Sequence, residues 1–269
     1  MIKYKHFTAL TLLLSLLTCQ TLANSFPNEE GDYFQTKQLD TGQTLGFGLH
    51  LPKNVDKRQK MPLIVALHFG FQGEEAPLEY GFQFMQMMMS STFKNAIIIA
   101  PSALTQGWHL SQNADAILGL MAEIKAHYPI NESKILLTGY SAGGYGVWSL
   151  GADYQEHFSG LMPISGAPRY WVEPDSWPAT PEEIYDMVDA MPKIEVEWQI
   201  PVYAIHSNAD QNVPIRFTQD YVDQLNENNN QSLVQLKVLD DLAHFDFLPF
   251  MDQAKQGYGV LEEIWELND

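Results

Sequence analysis

Cysteine is nearly absent from this chain: 269 residues contain one, Cys19, close to the N-terminus. A folded domain downstream of it can form no disulfide of its own and carries no thiol nucleophile, so its stability must come from an apolar core. Basic residues are scarce as well, 15 against 33 acidic, for a formal charge of −18. So negative a surface argues against nucleic acid or anionic membrane as a partner and disfavours polyanionic substrates. The chain also lacks an apolar run of membrane-spanning length. The stretch from Leu10 to Leu17 is too short for about 30 Å of hydrocarbon, so no transmembrane segment is expected.

That stretch has a different reading. Lys3 and Lys5 precede it, and Thr21-Leu22-Ala23 follows as a small-residue cleavage site, the order of a secretory signal peptide over residues 1–23. The expectation is an exported protein, periplasmic or secreted, whose mature chain starts at Asn24. Leu16-Leu17-Thr18-Cys19 offers an alternative, lipoprotein processing with a lipid anchor on Cys19. Residues 24–269 hold no repeat or low-complexity linker and suit one α/β domain. Without residues 1–23 the charge balance is 13 basic to 33 acidic, or −20. Nothing in the pattern bears on oligomeric state.

Thr36 to Leu51 alternates in hydrophobicity around a turn at Asp40-Thr41-Gly42, which predicts an antiparallel hairpin at a sheet edge. Pro62 to Leu67 and Ala96 to Pro101 are continuous apolar runs of the kind buried on both faces of a parallel sheet. Ile117, Met121, Ile124 and Tyr128 follow at helical spacing. Further strands are expected at Gly160 to Ile164, Pro201 to His206 and Leu233 to Leu239, and a closing helix from Phe247 to Leu267, broken by Gly257 and Gly259. This β-α-β-α alternation predicts an α/β class fold with a mostly parallel central sheet and helices on both faces. Met85, Met87, Met88 and Met89 read either as core packing or as an adaptable apolar site. Residues 170–198, rich in Trp, Pro and acids, read as an insertion that caps a pocket or as a structural excursion.

The centre of the chain carries the chemistry. Ile135 to Thr138 is an apolar run that stops at Gly139-Tyr140-Ser141-Ala142-Gly143 and resumes as a helix-compatible stretch. This G-x-S-x-G between strand and helix is a nucleophile elbow: a sharp, strained turn lifts the serine hydroxyl out of the sheet, and side chains two positions either side would collide across it. The helix that follows aims its amides and positive dipole end at the place where negative charge develops, so the Ala142 amide is an oxyanion donor. A serine hydroxyl needs a base in reach and a carboxylate to orient that base. In the order serine, acid, histidine, Asp210, in Ser207-Asn208-Ala209-Asp210, lies on a loop at a strand's C-terminal end, and His244, in Asp240-Asp241-Leu242-Ala243-His244, follows the last strand; Asp240 and Asp241 compete as the acid but stand too near His244 in sequence to be the first choice. His206 closes a strand and reads as buried and hydrogen-bonded; His127 and His157 read as surface histidines of helices. The second oxyanion amide is expected from His68-Phe69-Gly70-Phe71-Gln72-Gly73, from Phe69 or Gly70, with His68 holding the loop. Trp108 and Tyr140 are candidates to border the substrate pocket, with packing as the alternative for Trp108.

Ala66-Leu67-His68-Phe69-Gly70, Ile99-Ala100-Pro101, Gly107-Trp108, Leu137 to Trp148, Phe158 to Gly166, Ile200 to Pro214 and the His244 region together resemble the exported serine esterases of the α/β-hydrolase superfamily. Within it the chain is similar to the group of polyhydroxybutyrate depolymerase-like, feruloyl esterase-like and predicted-peptidase proteins. The resemblance spans about Pro62 to His244, and Phe69 stands where the broad pattern has glycine. It implies Ser141 as nucleophile, Asp210 as acid and His244 as base. The expected activity is hydrolysis of a small-molecule or polymer carboxylic ester through an acyl-enzyme, with no metal and no cofactor. A peptidase or an acyltransferase on the same triad, and a ligand-binding protein on an inactive hydrolase scaffold, are the alternatives.

Overall fold

The computed structural model describes residues 26–53, 55, 59–70, 78–176, 178–228 and 233–268. The leader at 1–23 with Cys19, and also Gly73 and Trp177, lie outside them. Among the described residues eight strands form one sheet: β1 (Gly31–Gln38), β2 (Thr44–Leu51), β3 (Met61–Leu67), β4 (Ile97–Pro101), β5 (Ile130–Tyr140), β6 (Gly160–Ile164), β7 (Val202–Ser207) and β8 (Val234–Leu239). Their spatial order is β1-β2-β4-β3-β5-β6-β7-β8. The expected hairpin pairs β1 with β2, and β2 meets β4 antiparallel; every later pairing is parallel. The fold is an α/β-hydrolase fold.

A buried parallel strand sends alternate side chains to opposite faces, and two cores result. Leu63, Val65, Leu67, Ile97, Ile99, Ile135 and Leu137 face α2 (Ser111–His127) and α3 (Ala142–Tyr154), where Ile117, Leu120, Ile124, Val147 and Trp148 meet them. Ile64, Ala66, Ile98, Ala100 and Leu136 face the other way, toward α1 (Leu78–Thr92) and α6 (Phe247–Asn268). Met85, Met88 and Met89 of α1 belong to that second core, while Met87 is 58% exposed. The methionine cluster therefore packs the core. Because β3 and β5 to β8 run in the same direction, the loops after them open on one rim, where ligands of such sheets bind.

The stretch after β6 is tied back to the sheet. Arg169 bridges Lys193, and the Tyr170 amide donates to Pro192 O at 2.9 Å. Between those points lies α4 (Pro181–Ala190), started by a capping box in which Thr180 and Glu183 satisfy each other's backbone amides. Trp171 packs edge-on against Tyr145 in the first turn of α3, with ring centroids 5.1 Å apart. A third apolar cluster joins Tyr145, Val188, Met191 and Val213 to Phe217 of α5 (Arg216–Asn228). No helix among the described residues is long and apolar enough to cross a membrane.

The expected break in the closing helix is absent. The last helix runs unbroken through Gly257 and Gly259. At Gly257 the reason is packing: a Cβ there would lie 2.6 Å from the Tyr203 ring, so the helix uses glycine to sit close on β7. At Gly259 nothing lies within 4 Å of an added Cβ. The two positions should respond oppositely to alanine. Gly259→Ala is expected to stabilise the protein by about 0.5–1 kcal/mol through helix propensity, and Gly257→Ala to destabilise it by about 1–3 kcal/mol through overpacking. Urea denaturation of both variants checks this, and equal shifts in the same direction contradict the packing account.

Candidate active site

Ser141 closes the step from β5 to α3 at φ 55°, ψ −117°, a conformation that costs a residue with a Cβ on the order of 1–3 kcal/mol. The neighbouring glycines make it attainable. A Cβ on Gly139 would lie 2.6 Å from Gly143 O, and one on Gly143 would strike Leu67 O at the end of β3. The Ser141 amide donates to Ile164 O at 2.9 Å, and its own carbonyl accepts from the Tyr145 amide at 3.0 Å, so the turn is held from β6 and from α3. Further along α3, a Cβ on Gly144 would lie 2.6 Å from Ile164 O, which seats the helix hard against β6.

Asp210 lies on the loop after β7 and His244 on the loop after β8. Both are buried, 6% and 4% exposed. His244 Nδ1 is 2.7 Å from Asp210 Oδ2, and His244 Nε2 is 2.9 Å from Ser141 Oγ. An ionised carboxylate only accepts, so Nδ1 carries the ring proton and Nε2 is left to accept from the serine hydroxyl. Burial works to raise the Asp210 pKa, but hydrogen bonds and charge from His206 and His244 outweigh it and hold the carboxyl well below the usual carboxylate range. Its other oxygen accepts from the Asn212 and Val213 amides, both at 2.9 Å. The three side chains that chain order selected therefore meet on one rim, in a geometry that can pass the Ser141 proton to His244.

Several supporting residues had no signal in the sequence. Ser207 Oγ accepts from the Leu242 amide at 3.2 Å, and Asn208 both donates to Asp240 and accepts from the Asp241 amide, binding the histidine loop to the acid loop. Asp241 itself sits at φ 59°. The competing acids Asp240 and Asp241 are thus part of the scaffold. His206 is wholly buried, with Nε2 donating to Val213 O at 2.8 Å and standing 3.5 Å from Asp210 Oδ2. His127 and His157 are half-buried rather than exposed.

The structure corrects Tyr140 as a pocket candidate and agrees with the packing alternative for Trp108. Tyr140 is 1% exposed, and its hydroxyl donates to the carbonyl of His244, so it positions the histidine loop and presents no face to a ligand. Trp108 is 4% exposed, packed on His68 with ring centroids 4.8 Å apart and against Gly146 of α3. The sequence offered no way to distinguish a buried aromatic from a lining one. In the loop expected to supply the second oxyanion amide, Gly70 is exposed, and a Cβ on it would lie 3.1 Å from Ala142 Cβ, so the 69–70 backbone borders the first residue of α3. His68 holds that loop, with Nδ1 donating to Phe69 O at 2.7 Å and Nε2 accepting from the Ala103 amide at 3.1 Å. Among the described residues no group of His, Cys, Asp and Glu is arranged to hold a metal ion.

These features define an α/β serine hydrolase. The family model of the prolyl oligopeptidase family, peptidase S9, matches residues 101–264, well over half of the chain, and the chain belongs to that family. No curated protein matches it in sequence. Solved structures share the fold at low identity. A thermostable esterase superimposes with a TM-score of 0.58 at 19% identity over 86% of this chain and 60% of its own. A putative dipeptidyl aminopeptidase IV from Bacteroides ovatus gives 0.65 at 14% identity over 85% of this chain and 35% of its own. A ferulic acid esterase gives 0.60 at 15% identity over 88% of this chain and 100% of its own. The chain thus spans under two thirds of the length of the first two.

His68 yields a prediction about stability. Burial pushes its pKa down from 6.5 to about 4, against a smaller upward effect of the bond to Phe69 O. The unfolded chain therefore takes up this proton first on acidification, so stability falls as pH drops from about 6.5 to about 4, by on the order of 3 kcal/mol, and this group adds no further loss below. Urea unfolding between pH 4 and 7 should show that slope, and His68→Gln should flatten it. Parallel slopes in the two proteins overturn the assignment.

Proposed function

We propose that this protein hydrolyses carboxylic esters through an acyl-enzyme on Ser141. Oγ attacks the carbonyl carbon as His244 Nε2 takes its proton; Asp210 keeps the imidazole in the required tautomer and stabilises the imidazolium that forms. The oxyanion is received by the Ala142 amide and by an amide of the 69–70 loop, Phe69 or Gly70. The imidazolium then protonates the departing alkoxide, water enters, and the same histidine activates it to release the acid. The observation that carries this reading is the continuous hydrogen-bonded line from Ser141 Oγ through His244 to Asp210, mounted on a strained turn.

Two considerations support ester over amide as the scissile bond. An alkoxide is a better leaving group than an amine and asks less of the acid step. The fold match also covers the ferulic acid esterase completely and the aminopeptidase over 35% of its length. A second reading, peptidase activity, is favoured by the family match itself. The pattern of residues 1–23 supports action outside the cytoplasm, and the mass of the purified mature chain, starting at Asn24 or at a lipidated Cys19, tests that.

A fluorophosphonate probe should label the wild-type protein and not Ser141→Ala. The same substitution should lower kcat on a p-nitrophenyl ester by about 10⁴–10⁶-fold while leaving the thermal transition near its wild-type position. Retention of most of the activity removes Ser141 from the mechanism. Faster turnover of a peptide p-nitroanilide than of p-nitrophenyl acetate moves the assignment to peptidase. Tyr140→Phe, which removes the hydroxyl that holds the His244 carbonyl, should reduce kcat by about tenfold with little change in KM; a KM effect alone would place Tyr140 in substrate binding instead.

A further inference from the structure

The chain is strongly acidic, yet one of its arginines is buried without an acidic partner. Arg169, just after β6, is 6% exposed. Its Nη1 donates to Pro168 O at 3.1 Å, and its Nε meets no acceptor. Among the described residues no carboxylate comes within ion-pair distance of it, and the remaining contact is the Phe217 ring, 5.2 Å from the guanidinium carbon. Burial disfavours its charge, with the more distant Asp189 the leading group that offsets this. A buried guanidinium whose Nε–H has no acceptor is an expensive arrangement unless something else satisfies it.

Arg169 lines a cleft of about 650 Å³ between the 185–196 stretch and α5. Phe217, Tyr185 and Tyr221 supply its aromatic walls, and Lys193 adds positive charge. Acids line it too, but Asp220 is engaged by Arg216 at 3.3 Å, and Asp189 and Glu195 are exposed to solvent. None of the triad or oxyanion-loop residues belongs to it. The chemistry selects the ligand class. A planar fork of N–H groups matches a carboxylate with two parallel bonds, and the rings match an apolar, ring-bearing body. The nearby acids disfavour a doubly charged phosphate more than a single carboxylate.

We propose that this cleft is a second binding site, for a small aromatic monocarboxylate whose carboxylate is received by Arg169. Sodium benzoate is the probe, titrated calorimetrically into the full chain, with benzyl alcohol as the uncharged match and inorganic phosphate as the dianionic one. Saturable one-to-one binding of benzoate, at least tenfold tighter than either comparison compound, is expected. Arg169→Lys keeps the charge without the fork, and Arg169→Met keeps the length without the charge; each should weaken benzoate tenfold or more. In the absence of ligand Arg169→Met should melt at or above the wild-type temperature, because it removes an unpaired buried charge. Should Arg169→Met fail to fold, the wild-type comparison of benzoate with benzyl alcohol still decides. Absence of saturable benzoate binding, equal affinity for benzyl alcohol, tighter binding of phosphate or unchanged affinity in Arg169→Lys overturns the proposal. Any of these leaves the Ser141 reading intact, since labelling by the fluorophosphonate measures that independently.

Discussion

The backbone approach between β3, β5 and α3 is the constraint from which the rest of the site follows. Ser141 can occupy φ 55° because Gly139 and Gly143 present no Cβ to Gly143 O and to Leu67 O, and because the Ser141 amide is tied to Ile164 O of the neighbouring strand. A strained residue persists only where its surroundings over-determine it. Here the surroundings are three central strands and a helix with Trp148 wholly buried among them. Relaxing the turn would require moving the core, so the strain is held in place and the hydroxyl stands clear of the sheet.

Charge placement follows the same economy. Asp210 is buried, yet stays ionised because every side of it is met by a donor: two backbone amides on one oxygen, His244 on the other, and His206 close by. The histidine loop is in turn fastened to the acid loop by Ser207 and Asn208 and from below by Tyr140. Positioning is thus distributed over at least two loops and the strand that carries the nucleophile. Arg169 is the contrasting case, a buried ion whose Nε–H meets no acceptor, and that contrast marks it out.

Much of this was legible before folding was considered. Continuous apolar runs marked the strands buried on both faces, since such a strand needs an apolar side chain at every position, and the G-x-S-x-G between strand and helix marked the elbow because its glycines answer a steric demand that is local. Asp210 and His244 could be selected by chain order, because parallel strands deliver their C-terminal loops to a common rim. Where the signal was ambiguous, the outcome depended on neighbours distant in the chain. Gly257 reads as a helix breaker until Tyr203 of β7 is seen to occupy the space its side chain would need. Tyr140 reads as a pocket aromatic, and Trp108 as either pocket or packing, until His68, Gly146 and the His244 carbonyl are seen to surround them.

The sequence by itself determined the α/β architecture, the elbow and the three residue types of the reactive line, because periodicity, steric need at a turn and strand order are properties of short segments and their succession. Tertiary structure alone decided which aromatics are buried, how the acid and histidine loops lock together, and that Arg169 is buried with its Nε–H unpaired. Those depend on which distant groups share a space, and burial and desolvation have no value until the chain has closed around them.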